Sequence, residues 1–269
     1  MMMINGVVTD NITARDRGLQ FGDGCFTTAR VRQGGIIWQK QHLERLQTTC
    51  QRLKITGVDW PKLSAEMQQL AALQQEGALK VIITRGTGRR GYSSGKDDLP
   101  NRILSCSGYP AHYDEWRKKG VHLRQASISL AITPLLAGLK HLNRLEQVLI
   151  RAELDAHGAE EALVLDTDGR VVECCAANLF WRKGTKLFTP DLSYCGVEGV
   201  ARNQLLMWAE KRGYSIAIVR EFPEILAEAD EVLICNALMP VLPVRRIEES
   251  VYHSRSFYQQ ITADHDEWR

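Results

Sequence analysis

Lys140 stands in a run of small and apolar residues, Leu136-Ala-Gly-Leu-Lys-His-Leu-Asn-Arg-Leu-Glu-Gln147. A lysine in such a setting is costly to keep charged, so its amine is expected to give up its proton more readily than a solvated one. Downstream, Glu173 opens the segment Glu173-Cys-Cys-Ala-Ala-Asn-Leu-Phe180, which reads as a strand and the turn that follows it. A deprotonated amine can condense with an aldehyde, and a carboxylate can keep a pyridine nitrogen protonated. These are the two demands that pyridoxal phosphate (PLP) makes of a protein. Read alone, each residue has a second explanation: most lysines are solvated surface charges, and a single glutamate on a strand is commonly an exposed edge charge. Alternation puts Val171, Glu173 and Cys175 on one strand face, where a carboxylate among apolar neighbours calls for a cationic partner.

Three further groups have anion chemistry. Arg45 lies beside the apolar stripe of an expected helix, and its planar fork suits an anion; it equally fits a surface charge or an i,i+4 ion pair. Gly196-Val-Glu-Gly-Val-Ala-Arg202 opens another expected helix, whose first amides, near Val200 and Ala201, form a ready anion site. The glycine-rich loop from Arg85 to Gly95 gathers Arg85, Arg89, Arg90 and Tyr92, either as a ligand grip or as a solvated hairpin tip. His42, His112, His141 and His157 have no assigned part in this chemistry, and His141 is expected to be structural. No His/Asp/Glu cluster has metal-ligand spacing.

Bulk properties narrow the class. The chain has 269 residues, 44% hydrophobic and 25% charged, enough for one large or two smaller globular domains. A net charge of +2 argues against a dedicated nucleic-acid binder. Seven scattered cysteines without a C-x-x-C pair point to reduced thiols in a cytoplasmic protein, not to a disulfide framework or a zinc site. The N-terminus lacks the pattern of a signal peptide, and no apolar run reaches membrane-spanning length, so neither a membrane nor a nucleic acid is expected as partner.

The elements that must position these residues follow from periodicity. Asn5-Gly6 between apolar residues predicts a hairpin. A glycine-rich loop from Phe21 enters a strand ending near Val31. Leu43, Leu46, Cys50 and Leu53 predict a helix over 41–54, and a second is expected over 61–75. Strands are predicted at 80–84 and 103–107. A polar stretch over 109–120 reads as a linker, followed by strands at 121–127, 161–166 and 171–175, the last two joined by a turn at Asp168-Gly169. Helices are expected at 142–156, 200–212 and 253–263, strands at 215–219 and 231–235, and a helical turn at 224–228. This is an α+β chain: a small N-terminal domain over 1–112, a linker over 113–120, and a larger domain over 121–269, with a ligand expected at the domain interface.

Five segments, in order, carry a family resemblance: Phe21-Gly-Asp-Gly-Cys-Phe-Thr-Thr-Ala-Arg30, His42-Leu-Glu-Arg-Leu46, Gly138-Leu-Lys-His-Leu-Asn-Arg-Leu-Glu146, Glu173-Cys-Cys-Ala-Ala-Asn-Leu-Phe-Trp181 and Cys235-Asn-Ala-Leu-Met-Pro240. The chain resembles the fold-type IV PLP enzymes, the class of the branched-chain and D-amino-acid aminotransferases, and within it the aminodeoxychorismate lyases. The resemblance implies a two-domain fold like that of D-amino-acid aminotransferase, with PLP as cofactor. It makes Lys140 the Schiff-base lysine and catalytic base, Glu173 the partner of the pyridine nitrogen, and Arg45 the phosphate ligand, helped by Val200, Ala201, Asn236 and Ala237. Thr28 departs from the glycine of the branched-chain enzymes and is a candidate catalytic or substrate contact. Arg90 and Tyr92 replace the family's Arg-x-His carboxylate grip. The implied reaction is conversion of 4-amino-4-deoxychorismate to 4-aminobenzoate and pyruvate in folate synthesis, by a homodimer. An aminotransferase for D-amino or branched-chain amino acids competes with it; a non-enzymatic anion- or nucleic-acid-binding protein is the more distant alternative.

Overall fold

Asn5 and Gly6 both take positive φ, 53° and 87°, the backbone that a two-residue hairpin needs. They join β1 (Met2–Ile4) to β2 (Val7–Val8), as predicted. The computed structural model describes residues 1–88, 91–95 and 99–264. They form two compact units, one of Met1–Pro110 with Lys140–Asn143, the other of Ala111–Leu139 with Arg144–Arg269.

In the first unit the hairpin is followed by α1 (Arg17–Phe21); Asp16 caps it by accepting from Gly18 N at 2.7 Å. Then come β3 (Gly24–Arg32), β4 (Gly35–Ile36), α2 (Gln39–Arg52), α3 (Trp60–Ala71), β5 (Glu76–Thr84) and β6 (Asn101–Gly108). The six strands pair antiparallel in the order β2-β1-β6-β5-β3-β4. The strand period decides what faces what. Cys25, Ala29 and Val31 of β3 are buried together with Thr27, whereas Phe26 and Thr28 on the opposite face are half-buried. Leu46 and Cys50 of α2 and Leu63, Met67 and Leu70 of α3 close the core over Val31, Leu79, Val81 and Leu104. Of the predicted stripe on α2, Leu46 and Cys50 are buried, but so are the polar His42 and Thr49.

In the second unit residues 112–119, expected to lie in a linker, form α4 (His112–Lys119). Its Tyr113 and Trp116 pack on a core that the polar composition of the segment concealed. There follow β7 (Val121–Gln125), α5 (Leu145–His157), β8 (Glu161–Leu165), β9 (Val171–Cys174), β10 (Asn178–Lys183), β11 (Lys186–Pro190), α6 (Val200–Lys211), β12 (Ser215–Val219), a 3₁₀ turn (Pro223–Glu228), β13 (Glu231–Cys235), β14 (Leu242–Ile247), β15 (Ser250–Val251) and α7 (Ser256–Asp264). The main path of the nine-stranded mixed sheet runs β12-β11-β10-β13-β14-β7-β8-β9, with β15 beside β14. Apolar cores cover both faces. Leu163 and Leu165 of β8 enter one, and Ala162 and Val164 the other, where Ile150 and Leu154 of α5 meet them. Cys174 joins the first core and Cys175 packs against the second; Val171, expected on the face of Cys175, instead lies in the first core with Cys174, because the β8–β9 register shifts between Val164 and Leu165.

Burial on both faces erases the alternation by which strands are recognised, and this is why β10 went unrecognised. Prolines at 190 and 243, which cannot donate to a strand ladder, concealed β11 and β14. The helix expected over 142–156 begins only at Leu145.

Glu161, 3% exposed, accepts from Ala162 N at 2.9 Å and Ala176 N at 3.1 Å. Burial, only partly opposed by those bonds, pushes its carboxyl up to about 7. The folded pKa is thus above the unfolded one, so the stabilisation is complete below the ordinary carboxylate range and is lost as pH rises through 7. Between pH 6 and 8 this single group should cost on the order of 1 kcal/mol of folding stability. Urea unfolding of Glu161→Gln should lack that component. Equal pH slopes for wild type and variant would show that Glu161 does not titrate there.

Candidate active site

In the first unit, residues 140–142 run as a short edge beside the start of β3. Phe26 N donates to Lys140 O at 2.9 Å and Leu142 N to Gly24 O at 3.0 Å, while Cys25 and His141 form a β-bridge. This pairing sets Lys140 Nζ 4.7 Å from the centre of the Phe26 ring. The His141 side chain accepts from Asn143 N at 3.2 Å. Thr28 shares the Phe26 face of β3 and lies in register with Lys80, whose Nζ is 5.2 Å from the same ring.

On the opposite face of β3, Thr27 meets α2. Its Oγ1 lies 2.6 Å from His42 Nδ1 and accepts a short hydrogen bond from Arg45 Nη2. Arg45 Nε is buried without a hydrogen-bond partner. Burial pushes the Arg45 pKa down to about 10, with the Cys25 thiol opposing; among the described residues no carboxylate offsets the cost. His42 is held well below its ordinary pKa by burial and then by the charges of Arg45 and Lys140.

In the second unit Glu173 is 4% exposed. Its Oε2 accepts from Val197 N at 2.9 Å and from Asn178 Nδ2 at 3.5 Å, and Asn178 also donates to Val197 O at 2.8 Å. Gly196, at φ 84°, makes this approach possible: a Cβ there would lie 2.7 Å from Val172 Cγ1 and 3.3 Å from Glu173 Oε2. The same segment pairs with the residues before Lys140, Gly138 N donating to Gly196 O at 3.0 Å and Glu198 N to Gly138 O at 2.9 Å. It leads directly into α6, whose first residues Val200 and Ala201 are buried and whose start has no side-chain cap. Asn236 is committed to its own loop. Its side chain donates to Ala176 O at 3.0 Å and accepts from Leu238 N and Met239 N at 2.9 and 2.8 Å. Arg144 donates to Leu139 O at 2.8 Å; burial lowers its pKa, and the charge of Glu173 opposes that.

The arginine loop differs from the expectation. Arg85 is spent on Asp23, with Nε–Oδ2 at 2.8 Å and Nη2–Oδ1 at 3.0 Å, and on the carbonyls of Leu53 and Lys54. Arg17 Nε also binds Asp23, at 2.8 Å, and the Arg17 guanidinium holds the carbonyls of Gly91, Tyr92 and Ser93. The Tyr92 side chain is 88% exposed, its ring 5.5 Å from that of Phe21. Arg89 and Arg90 lie outside the described residues.

Sequence reasoning missed Thr27, Asn178 and Arg144, and gave His42 no role. His42 and Arg45, three apart on one helix, share a face; that spacing beside a threonine-bearing strand was the available signal.

Residues 24–247 match the family described as amino-transferase class IV. The chain is 39% identical over 248 residues to an aminodeoxychorismate lyase of Vibrio harveyi, covering 92% of this chain and 91% of that protein. It superposes on the crystal structure of 4-amino-4-deoxychorismate lyase from Pseudomonas aeruginosa with a TM-score of 0.93 at 42% identity, covering 99% of this chain and all of the other. A hypothetical aminotransferase from Mycobacterium tuberculosis, in a PLP-bound form, shares the fold at a TM-score of 0.82 and 20% identity, covering 95% and 92% of the two chains. With two α+β units and a family match over most of its length, this chain belongs to the amino-transferase class IV family.

Proposed function

We propose that the protein is a PLP-dependent lyase that converts 4-amino-4-deoxychorismate to 4-aminobenzoate and pyruvate, a step toward folate. The observation that carries this reading is its full-length likeness to two lyases of that name, at an identity well above its likeness to the aminotransferases. The residues fit the cofactor: Arg45 has a buried donor without a partner, α6 opens uncapped, and Glu173 is a buried carboxylate held by neutral donors.

Arg45 and the amides of Val200 and Ala201 would hold the phosphate, with the backbone at Asn236 and Ala237 beside it. Glu173 would pair with the ring nitrogen. When bound, PLP supplies an aldehyde for the lysine amine and a ring that accepts electrons. Lys140 would anchor the cofactor through its Nζ, and the freed Nζ would remove the proton from C4 of the substrate. The C3–O bond then breaks, the ring becomes aromatic, and Lys140 returns its proton to the departing enol, which becomes pyruvate. Atoms balance without any other catalytic acid. Thr28, on the face of β3 that carries Phe26, is assigned to contact the substrate, and Arg90 and Tyr92 to its carboxylates.

The α5 residues Leu145, Val148 and Leu149 form an apolar stripe that is 76%, 59% and 55% exposed. Burying it against a second copy suits a homodimer. All seven cysteines are free thiols, in keeping with a cytoplasmic location. No helix among the described residues is long and apolar enough to cross a membrane.

Incubation with aminodeoxychorismate should give 4-aminobenzoate and pyruvate in equal amounts without a keto acid. Product formed only when 2-oxoglutarate is added, or transamination of D-alanine without lyase activity, would favour the aminotransferase reading instead.

A further inference from the structure

We propose that Thr27 and His42 form a neutral hydrogen-bond relay that positions Arg45 for a phosphate without taking up its charge. The inference rests on the reading that Arg45 receives the phosphate of PLP. Both relay residues are fully buried, Thr27 on β3 and His42 one helical turn before Arg45 on α2.

The direction of each hydrogen bond follows from what each group can do. A guanidinium only donates, so Thr27 Oγ1 accepts from Arg45 Nη2. The single hydroxyl proton of Thr27 must then find an acceptor, and His42 Nδ1 lies 2.6 Å away. Were Nδ1 protonated, the hydroxyl proton and the Nε2 lone pair would both be buried without a partner, whereas with the proton on Nε2 only that N–H is. His42 is also flanked by the charges of Arg45 and Lys140, which oppose a second positive charge on its ring. It is therefore neutral, Nδ1 accepts and the proton sits on Nε2, itself buried without a partner.

The consequence is electrostatic. A long cation normally needs an anchor, and the usual anchor is a carboxylate. A carboxylate would neutralise Arg45 and compete with any incoming anion. A threonine backed by a neutral imidazole fixes one end of the guanidinium yet leaves its full charge, and its Nε donor, for a ligand. Arg17, Arg85 and Arg102, which have structural work, are each paired with a carboxylate instead.

The test compares the affinity of the full-length protein for PLP with that for pyridoxal, the same ring without its phosphate, read by absorbance and fluorescence titration. Thr27→Val, nearly isosteric, should weaken PLP binding about tenfold and leave pyridoxal binding within a factor of two. Thr27→Ser, which keeps the hydroxyl, should restore the wild-type preference. Arg45→Ala should reduce that preference at least as much. A Thr27→Val protein that keeps the wild-type preference while Arg45→Ala loses it overturns the relay and leaves the phosphate reading standing. If Arg45→Ala also keeps the preference, the reading of Arg45 fails and the relay with it. Should Thr27→Val not fold, nitrogen-15 NMR of the His42 ring in the wild-type protein decides: an unprotonated Nδ1 is expected, and a protonated one overturns the proposal.

Discussion

Lys140→Ala should lower lyase turnover by at least about 10⁴-fold, because one side chain is asked to act as cofactor anchor, base and proton donor. The fold should tolerate the change. What holds the segment is backbone: Phe26 N donates to Lys140 O, and Leu142 N to Gly24 O. Losing the side chain removes a cation beside the Phe26 ring, a contact of modest energy. PLP should still bind noncovalently through the groups proposed for its phosphate and ring nitrogen, so binding and chemistry come apart in this variant. The measurement is borohydride reduction of the loaded wild-type protein followed by peptide mapping. Lys80 gives the result its discriminating power, since its Nζ also lies near the Phe26 ring, at 5.2 Å. The pyridoxyl group is expected on Lys140. Finding it on Lys80, or finding near-normal turnover in Lys140→Ala, would remove Lys140 from the mechanism.

What could be read beforehand was local. The Asn5-Gly6 hairpin, helix α2 and strands β3, β5 and β6 announce themselves through turn chemistry and apolar spacing within a few residues. Strands β10, β11 and β14 did not, because they are buried on both faces or carry proline, and α4 was hidden by its polar composition. The site divides along the same line. Lys140, Glu173 and Arg45 could be picked out by type and by family resemblance. Their partners could not: Thr27 meets Arg45, and Val197 meets Glu173, only once strands and loops distant in sequence come together. Arg85 shows the reverse case. In the chain it reads as part of a cationic loop, yet Asp23, 62 positions away, has taken its charge. Counting only apolar residues along α2 also left out His42 and Thr49, which are buried because Thr27 and the Arg45 backbone give them polar partners.

Glu173→Gln separates charge from position at the proposed ring-nitrogen contact. The amide oxygen of glutamine can keep the bond from Val197 N that anchors the loop leading into α6, so the local backbone should persist. What disappears is the negative charge that would hold the pyridine nitrogen protonated. A lost charged hydrogen bond is worth about 1.5–3 kcal/mol, which corresponds to roughly 10- to 150-fold in the rate of C4 deprotonation. Affinity for PLP should change far less, because the phosphate contacts are untouched. With substrate deuterated at C4, the primary isotope effect on kcat should rise in the variant as proton removal becomes more fully rate-limiting. Glu173→Ala should show the same kinetic defect together with a loss of stability, since Val197 N and Asn178 lose their acceptor in a buried site. Unchanged turnover in Glu173→Gln, with PLP bound and the isotope effect at its wild-type value, would mean that the carboxylate serves only to hold the 196–199 loop.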